Sequence, residues 1–251
     1  MLIRHIPHSS QLIPADFRDQ YLITQDQLDF QRLRLTDWYT DDLFADEDTD
    51  ELIFPISRLV CDPERFLDDN QEPAAKVGMG VLYTHGTEGQ LIRRPDLQLR
   101  HKLMKRFYEP HHQKLTEMIA ENLCKSGRCL VLDCHSFPQD PLPTDNQNSG
   151  DRPDICLGFD SYHCPEILVA EIIQALSNED FNVSLNTPYA GSMIPQDYFL
   201  KNKAVWGLMV ELNRKIYMNE ADGTKLGTYS DVKASIHKHV IQRIKDFMGA
   251  L

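Results

Sequence analysis

No run of roughly 18 apolar residues, the minimum for a membrane-spanning helix, occurs anywhere in the 251-residue chain. The opening stretch, Met1 to His5, lacks the long apolar segment of a secretory signal, so a cytoplasmic protein is expected. Basic residues are in deficit: 26 Lys and Arg stand against 38 Asp and Glu, for a net charge of -12 and a pI of about 5.2. That balance argues against DNA or RNA as a partner and favours solubility. No two of the 6 cysteines stand in C-x-x-C spacing, which removes the zinc ribbon and the dithiol redox motif and leaves reduced core thiols. There is no H-E-x-x-H helix, no internal repeat and no low-complexity tract.

What is present is enough apolar sequence, 41% of residues, to bury one sizeable core, so the chain 1–251 is read as a single domain. Residues 2–6 form a short strand stopped by Pro7. Helical spacing of Leu28, Leu35, Trp38 and Leu43 predicts two helices over 14–44, broken near Thr24. A strand follows at 51–57, where Pro55 points to an edge position or an early finish. Residues 58–94, rich in Gly, Pro and charge, read as a long functional loop region. A helix over 97–125 opens at Pro95-Asp96, bends at Pro110 and closes at Gly127. Strands at 128–136, 155–159, 181–185 and 204–212 alternate with helices near 165–176 and 231–247, and residues 136–153 form a loop. This alternation predicts an α/β fold with a mainly parallel or mixed central sheet flanked by helices.

Ligands of such sheets bind beyond the carboxyl ends of the strands. Three polar clusters fall there: His8, then Asp133-Cys134-His135-Ser136, then Glu211-Leu212-Asn213-Arg214. Two histidines and a carboxylate around an open coordination position make a catalytic zinc site. His8, His135 and Asp37 could supply that set, with Asp41 and Asp42 as rivals of Asp37 on one helix. Glu211 would act as general base on a bound water, unless an ion pair with Arg214 or another arginine occupies it. Asp133, two residues before His135, shares its face of the strand and is a candidate partner for the far nitrogen of the ring. Cys134 points to the opposite face, which rules out a Cys134–His135 nucleophile and base. His111-His112 and His163-Cys164 read as structural or surface groups. Arg58 and Arg65 flank Asp62, and Arg93 and Arg94 follow; arginines in loops suit a small anionic substrate, or else form surface ion pairs.

In this order, IPHSSQLIP, LTDWYTDDL, SRLVCDPER, GMGVLYTHGTEGQLIR, DCHSFP, RPDICLGFD, NTPYAGSMI and VELNRKIYM resemble the N-formylglutamate amidohydrolase family over nearly the whole chain. The resemblance implies a zinc-exopeptidase, carboxypeptidase-like α/β architecture. It also implies hydrolysis of N-formyl-L-glutamate to formate and glutamate, a step of histidine catabolism. By the same resemblance His8, Asp37 and His135 hold Zn2+, Glu211 is the catalytic carboxylate, and Arg58 and Arg65 bind substrate carboxylates or the developing oxyanion. Arg93, Asn213 and Arg214 complete the expected substrate-binding set. The chain departs from the family pattern at Ser10, where members commonly carry Gly, and at Glu64, where D-x-N-R is common. Glu64 leaves room for another N-acyl amino acid or a carboxypeptidase-like substrate. A metal- or ligand-binding protein without turnover is the remaining alternative.

Overall fold

The computed structural model describes residues 1–142 and 152–250. Six strands, β1 (Leu2–Ile6), β2 (Asp50–Ile53), β3 (Cys129–Phe137), β4 (Ile155–Gly158), β5 (Val183–Leu185) and β6 (Val205–Asn213), make one sheet in the order β2-β1-β3-β6-β4-β5. β1 is parallel to β2 and β3, and β3 is parallel to β6; β4 pairs antiparallel with β6 and parallel with β5. The sheet is therefore mixed, and the carboxyl ends of β1, β3 and β6 meet at one end of it. β3 and β6 are buried along their full length, which is why CLVLDCHSF and VWGLMVELN read as near-continuous apolar runs.

Seven helices accompany the sheet among the described residues: α1 (Gln25–Leu35), α2 (Thr40–Leu43), α3 (Leu97–Leu103), α4 (Glu109–Ser126), α5 (Glu166–Ser177), α6 (Tyr229–Ile236) and α7 (Gln242–Gly249). One sheet face, carrying Leu130, Leu132, Cys134, Leu208, Val210 and Leu212, packs on α5, α6 and α7. The other, with Ile3, Val131 and Val205, packs on Leu115 and Ile119 of α4. Side chains alternate along a strand, so His5, Asp133, His135 and Glu211 belong to this second face. A further core gathers Phe17, Leu28, Leu35, Phe54, Ile56, Tyr83, Ile92 and Leu103 from the connecting segments. Among the described residues no helix is long and apolar enough to cross a membrane.

Several expectations need correction. Before Thr24 there is only a 3-10 turn, Ala15–Phe17, and Thr24 itself caps α1 in a reciprocal box with Gln27. Helix α1 stops at Leu35, because Thr36 turns extended and the backbone N–H of Asp37 donates to His8 O at 3.0 Å instead of continuing the helix. Tyr39 then adopts a left-handed φ of 65°. Asp37 is therefore not helical and shares no helix face with Asp41, which is exposed. Residues 58–94 are not structureless: they include a 3-10 turn, Pro73–Val77, and bury Val60, Val81, Leu82, Tyr83 and Ile92. β2 is an edge strand that finishes two residues before Pro55.

At Pro110 the chain does not simply bend. A π-helical segment, Met104–Tyr108, joins α3 to α4; a proline has no N–H for the carbonyl one turn earlier, and a widened turn accommodates that loss. The closing helix is likewise divided, with a π segment, His237–Ile241, between α6 and α7. Of the loop expected over 136–153, Ser136 and Phe137 belong to β3, and 143–151 lie outside the described residues.

Candidate active site

Pro7 ends β1, so His8 emerges at the end of the sheet. Its neighbour in space is His135 near the end of β3, with ring centroids 5.2 Å apart. The parallel register places Glu211 of β6 opposite His135. Asp37 arrives from the turn after α1, fixed by its own N–H on His8 O and by Thr40 Oγ1 donating to its carbonyl at 3.0 Å. Three distant segments thus deliver His8, Asp37 and His135 to one buried point.

The donor geometry suits a cation. Asp37 Oδ2 lies 3.0 Å from His135 Nδ1 and 3.6 Å from His8 Nδ1. Donors about 2.0–2.2 Å from a tetrahedral zinc stand roughly 3.3–3.6 Å apart. His8 Nδ1 is buried without a hydrogen-bond partner, and so is Glu211 Oε2; both residues line the same cavity. The far nitrogens of both rings face carboxylates: His8 Nε2 lies 2.9 Å from Asp62 Oδ1, and His135 Nε2 lies 3.2 Å from Asp133 Oδ1. An ionised carboxylate only accepts, so Asp62 holds a proton on His8 Nε2 and leaves His8 Nδ1 free to bind a cation, whereas both nitrogens of His135 face carboxylates.

Asp62 is itself braced. Its Oδ2 accepts from Tyr83 Oη at 2.6 Å and from Arg58 Nη2 at 2.8 Å, with Arg65 Nε 3.4 Å away. Burial disfavours its charge, but Arg58, His8 and Arg65 hold the carboxyl well below the usual carboxylate range. Asp37 behaves alike: burial is outweighed by the His135 and His8 imidazoles beside it. Burial likewise opposes charge on His135, yet Glu64 and Asp133 raise its pKa well above the ordinary value. The negative field that favours a proton on this imidazole also favours a cation beside it. Unlike Asp37 and Asp62, Glu211 is raised, to about 7, through burial first, with the charges of Asp37 and Glu64 adding to it against His135 and Arg58.

These groups open onto a cavity of about 650 Å³ lined by His8, Asp37, Arg58, Glu64, Arg65, His135, Glu211 and Arg214, among others. Arg214 donates to Asp37 Oδ1 at 3.1 Å and to the carbonyls of Arg34 and Ser136. Two residues of the expected substrate set lie elsewhere. Arg93, buried in the connecting core, donates to the carbonyls of Tyr83, Leu59 and Val60 and to Gln20 Oε1. Asn213 is fully buried and donates to Gln139 Oε1 and Pro153 O. Both guanidinium and amide serve the scaffold around the cavity and not its wall.

The sequence reading did not single out Tyr83 or His5, and gave Asp62 no role of its own. His5 had a signal: on a period-2 strand it shares the face of Asp133 across the β1–β3 register. Tyr83 had none, since only the folded loop carries it to Asp62.

Comparison with known proteins follows the same lines. A model of the N-formylglutamate amidohydrolase family matches residues 1–218. The fold resembles a crystal structure of N-formylglutamate amidohydrolase from Ralstonia eutropha JMP134, with a TM-score of 0.83, 21% sequence identity, and coverage of 99% of this chain and 94% of that one. It also resembles a gene product of Agrobacterium tumefaciens, with a TM-score of 0.66, 18% identity, and coverage of 98% and 91%. No curated protein matches the sequence. With most of its length matched by the family model, the chain belongs to the N-formylglutamate amidohydrolase family.

Proposed function

We propose that this amidohydrolase is metal-dependent and cleaves the amide of N-formyl-L-glutamate, or a close N-acyl acidic amino acid, to formate and glutamate. The observation that carries the reading is the set His8 Nδ1, Asp37 Oδ2 and His135 Nδ1 at the floor of an open cavity, with Glu211 in register beside it. Two imidazoles and one carboxylate suit Zn2+ with a position left open. A zinc ion held there would bring the pKa of a water to about 7 and polarise the scissile carbonyl.

The chain's own groups do the rest. Glu211 takes a proton from the attacking water on Oε2, which has no other hydrogen-bond partner, and delivers it to the leaving amine. Arg58 spends Nε and Nη2 on Asp62; its Nη1 lies 3.9 Å from Asp37 Oδ1, makes no hydrogen bond among the described residues, and is available to the oxygen that gains negative charge. Arg65, the more exposed of the pair, takes a substrate carboxylate. Arg214 acts indirectly by orienting Asp37. A small dianionic substrate is attracted by these guanidiniums in spite of the net charge of -12.

The test is formate release from N-formyl-L-glutamate by protein as purified, after chelation, and after zinc is restored, with N-formyl-aspartate and N-acetyl-glutamate alongside. Zinc-restored turnover of the first substrate is the expected result. Full turnover after complete chelation would overturn the metal dependence, and preference for either analogue would reassign the substrate.

A further inference from the structure

A second set of donors lies immediately behind the first. His5 Nδ1 is 2.7 Å from Asp133 Oδ1 and 3.8 Å from Glu64 Oε1. His135 Nε2 is 3.2 Å from each of those two oxygens. These separations straddle the roughly 3.3–3.6 Å expected between donors around a tetrahedral ion. The His135 ring thus presents one nitrogen to Asp37 and the other to Glu64 and Asp133.

Only imidazoles face the carboxylates of this inner set. No arginine or lysine among the described residues pairs with Glu64 or Asp133, because Arg58, Arg65 and Arg214 are directed to Asp62 and Asp37. His135 Nε2 is buried and makes an aligned hydrogen bond with neither oxygen. Carboxylates gathered in a dry site without a cation are costly.

We propose that His5, Glu64, Asp133 and Nε2 of His135 form a second divalent-cation site, joined to the outer one through the His135 ring, which gives up both of its ring protons to solvent and bridges the two ions as imidazolate. Two imidazole nitrogens and two carboxylate oxygens suit a zinc-like ion. The donors are held from behind: His5 Nε2 is 2.8 Å from His111 Nε2, and Asp133 Oδ2 accepts from the N–H of Met193 at 2.9 Å. Such outer contacts fix ring orientation in metal sites. Of this set Glu64 and His135 line the cavity, and Glu64 is the more exposed, its side chain 15% accessible, so the inner ion exchanges past it. The other Glu64 oxygen is 3.6 Å from His8 Nδ1, which places this carboxylate between the two sets. The inference rests on the proposed function only for the outer ion.

Metal stoichiometry tests it. Full-length protein is stripped with chelator, reloaded with zinc, desalted and analysed by inductively coupled plasma mass spectrometry, beside Glu64→Ala, His5→Gln and Asp37→Asn, each checked for folding by circular dichroism. Two zinc ions per chain are expected in the wild type and one in each variant. A single ion lost in Asp37→Asn but kept in Glu64→Ala would overturn the second site and leave the outer one standing. A single ion kept in Asp37→Asn and lost in Glu64→Ala would uphold the inner site and overturn the outer. No zinc in the wild type would overturn both. Should His5→Gln fail to fold, Glu64→Ala decides the matter, since Glu64 lies in a partly exposed turn.

Discussion

Glu211 stands opposite His135 in the parallel β3–β6 register, while Oδ2 of Asp37 lies 3.0 Å from the same imidazole. A sheet fixes the first relationship and a turn the second. The β3–β6 register brings base and candidate ligand together without any loop having to order, which favours a precise site on rigid elements. Asp37 depends instead on the backbone bond from its N–H to His8 O. The two candidate ligands outside the sheet are thus positioned by each other.

Glu211→Gln keeps the shape of the side chain and removes the proposed base. The expected result is a fall in kcat of about 10²- to 10⁴-fold, the usual contribution of a positioned general acid or base, with zinc content unchanged. Formate release and metal analysis on the same preparation check it; full turnover would assign the proton transfer elsewhere. The pH profile adds a second reading. Without a metal, burial and the neighbouring carboxylates put Glu211 at about 7. A dication nearby favours the carboxylate, so the acid limb of kcat/KM in zinc-loaded protein should fall below that value and vanish from the residual activity of Glu211→Gln.

Arg65→Ala addresses substrate binding. A hydrogen bond to a charged group contributes about 1.5–3 kcal/mol, so KM for N-formyl-L-glutamate should rise roughly 10- to 100-fold, with a smaller effect on kcat. Arg65→Lys should recover only part of the loss, because an ammonium cannot make the paired contact of a guanidinium. Unchanged KM in Arg65→Ala would move carboxylate recognition to another cavity residue.

Much of this was legible in the sequence, for reasons that particular residues make plain. β3 and β6 are covered on both faces and therefore read as apolar runs, and His135 and Glu211 are among the polar residues that interrupt those runs near their carboxyl ends. Asp37 was named for its place in a family pattern, but its helical setting was wrong: nothing in TDWYTDD announces that Tyr39 turns left-handed. Arginines in loops look alike in sequence whether they clamp a ligand or tie backbone carbonyls, so Arg65 at the cavity and Arg93 in the core could not be told apart. Asp62 and Tyr83 meet only through the fold of the 58–94 segment, which has no periodicity to read.

Thr24→Ala provides a control remote from the chemistry. The Thr24 hydroxyl accepts from the Gln27 N–H at 3.3 Å, and Gln27 Oε1 accepts from the Thr24 N–H at 3.0 Å. Losing such a cap costs about 1 kcal/mol, seen as a lower urea midpoint with kcat and KM unchanged. Leu208→Ala, in the fully buried core between the sheet and α5, α6 and α7, should cost about 2–5 kcal/mol. A larger loss in Thr24→Ala than in Leu208→Ala would contradict this ordering of the two contacts.

His111 makes stability depend on pH. Burial above all, with the neighbouring His5 and His112 rings adding, pushes its pKa from the ordinary 6.5 down to about 2. In the fold the ring stays neutral across that interval, whereas the unfolded chain takes up a proton below 6.5. Its contribution is therefore complete above pH 6.5 and is lost progressively as the pH falls from there towards 2. One proton bound only by the unfolded state corresponds to about 1.4 kcal/mol per pH unit at the steepest. Urea unfolding of metal-free wild type and His111→Gln at pH 7.5, 6 and 5 isolates the effect, because every other titrating group is shared. The wild type should lose stability more steeply than the variant below pH 6.5, and parallel curves would show that His111 is not held neutral in the fold.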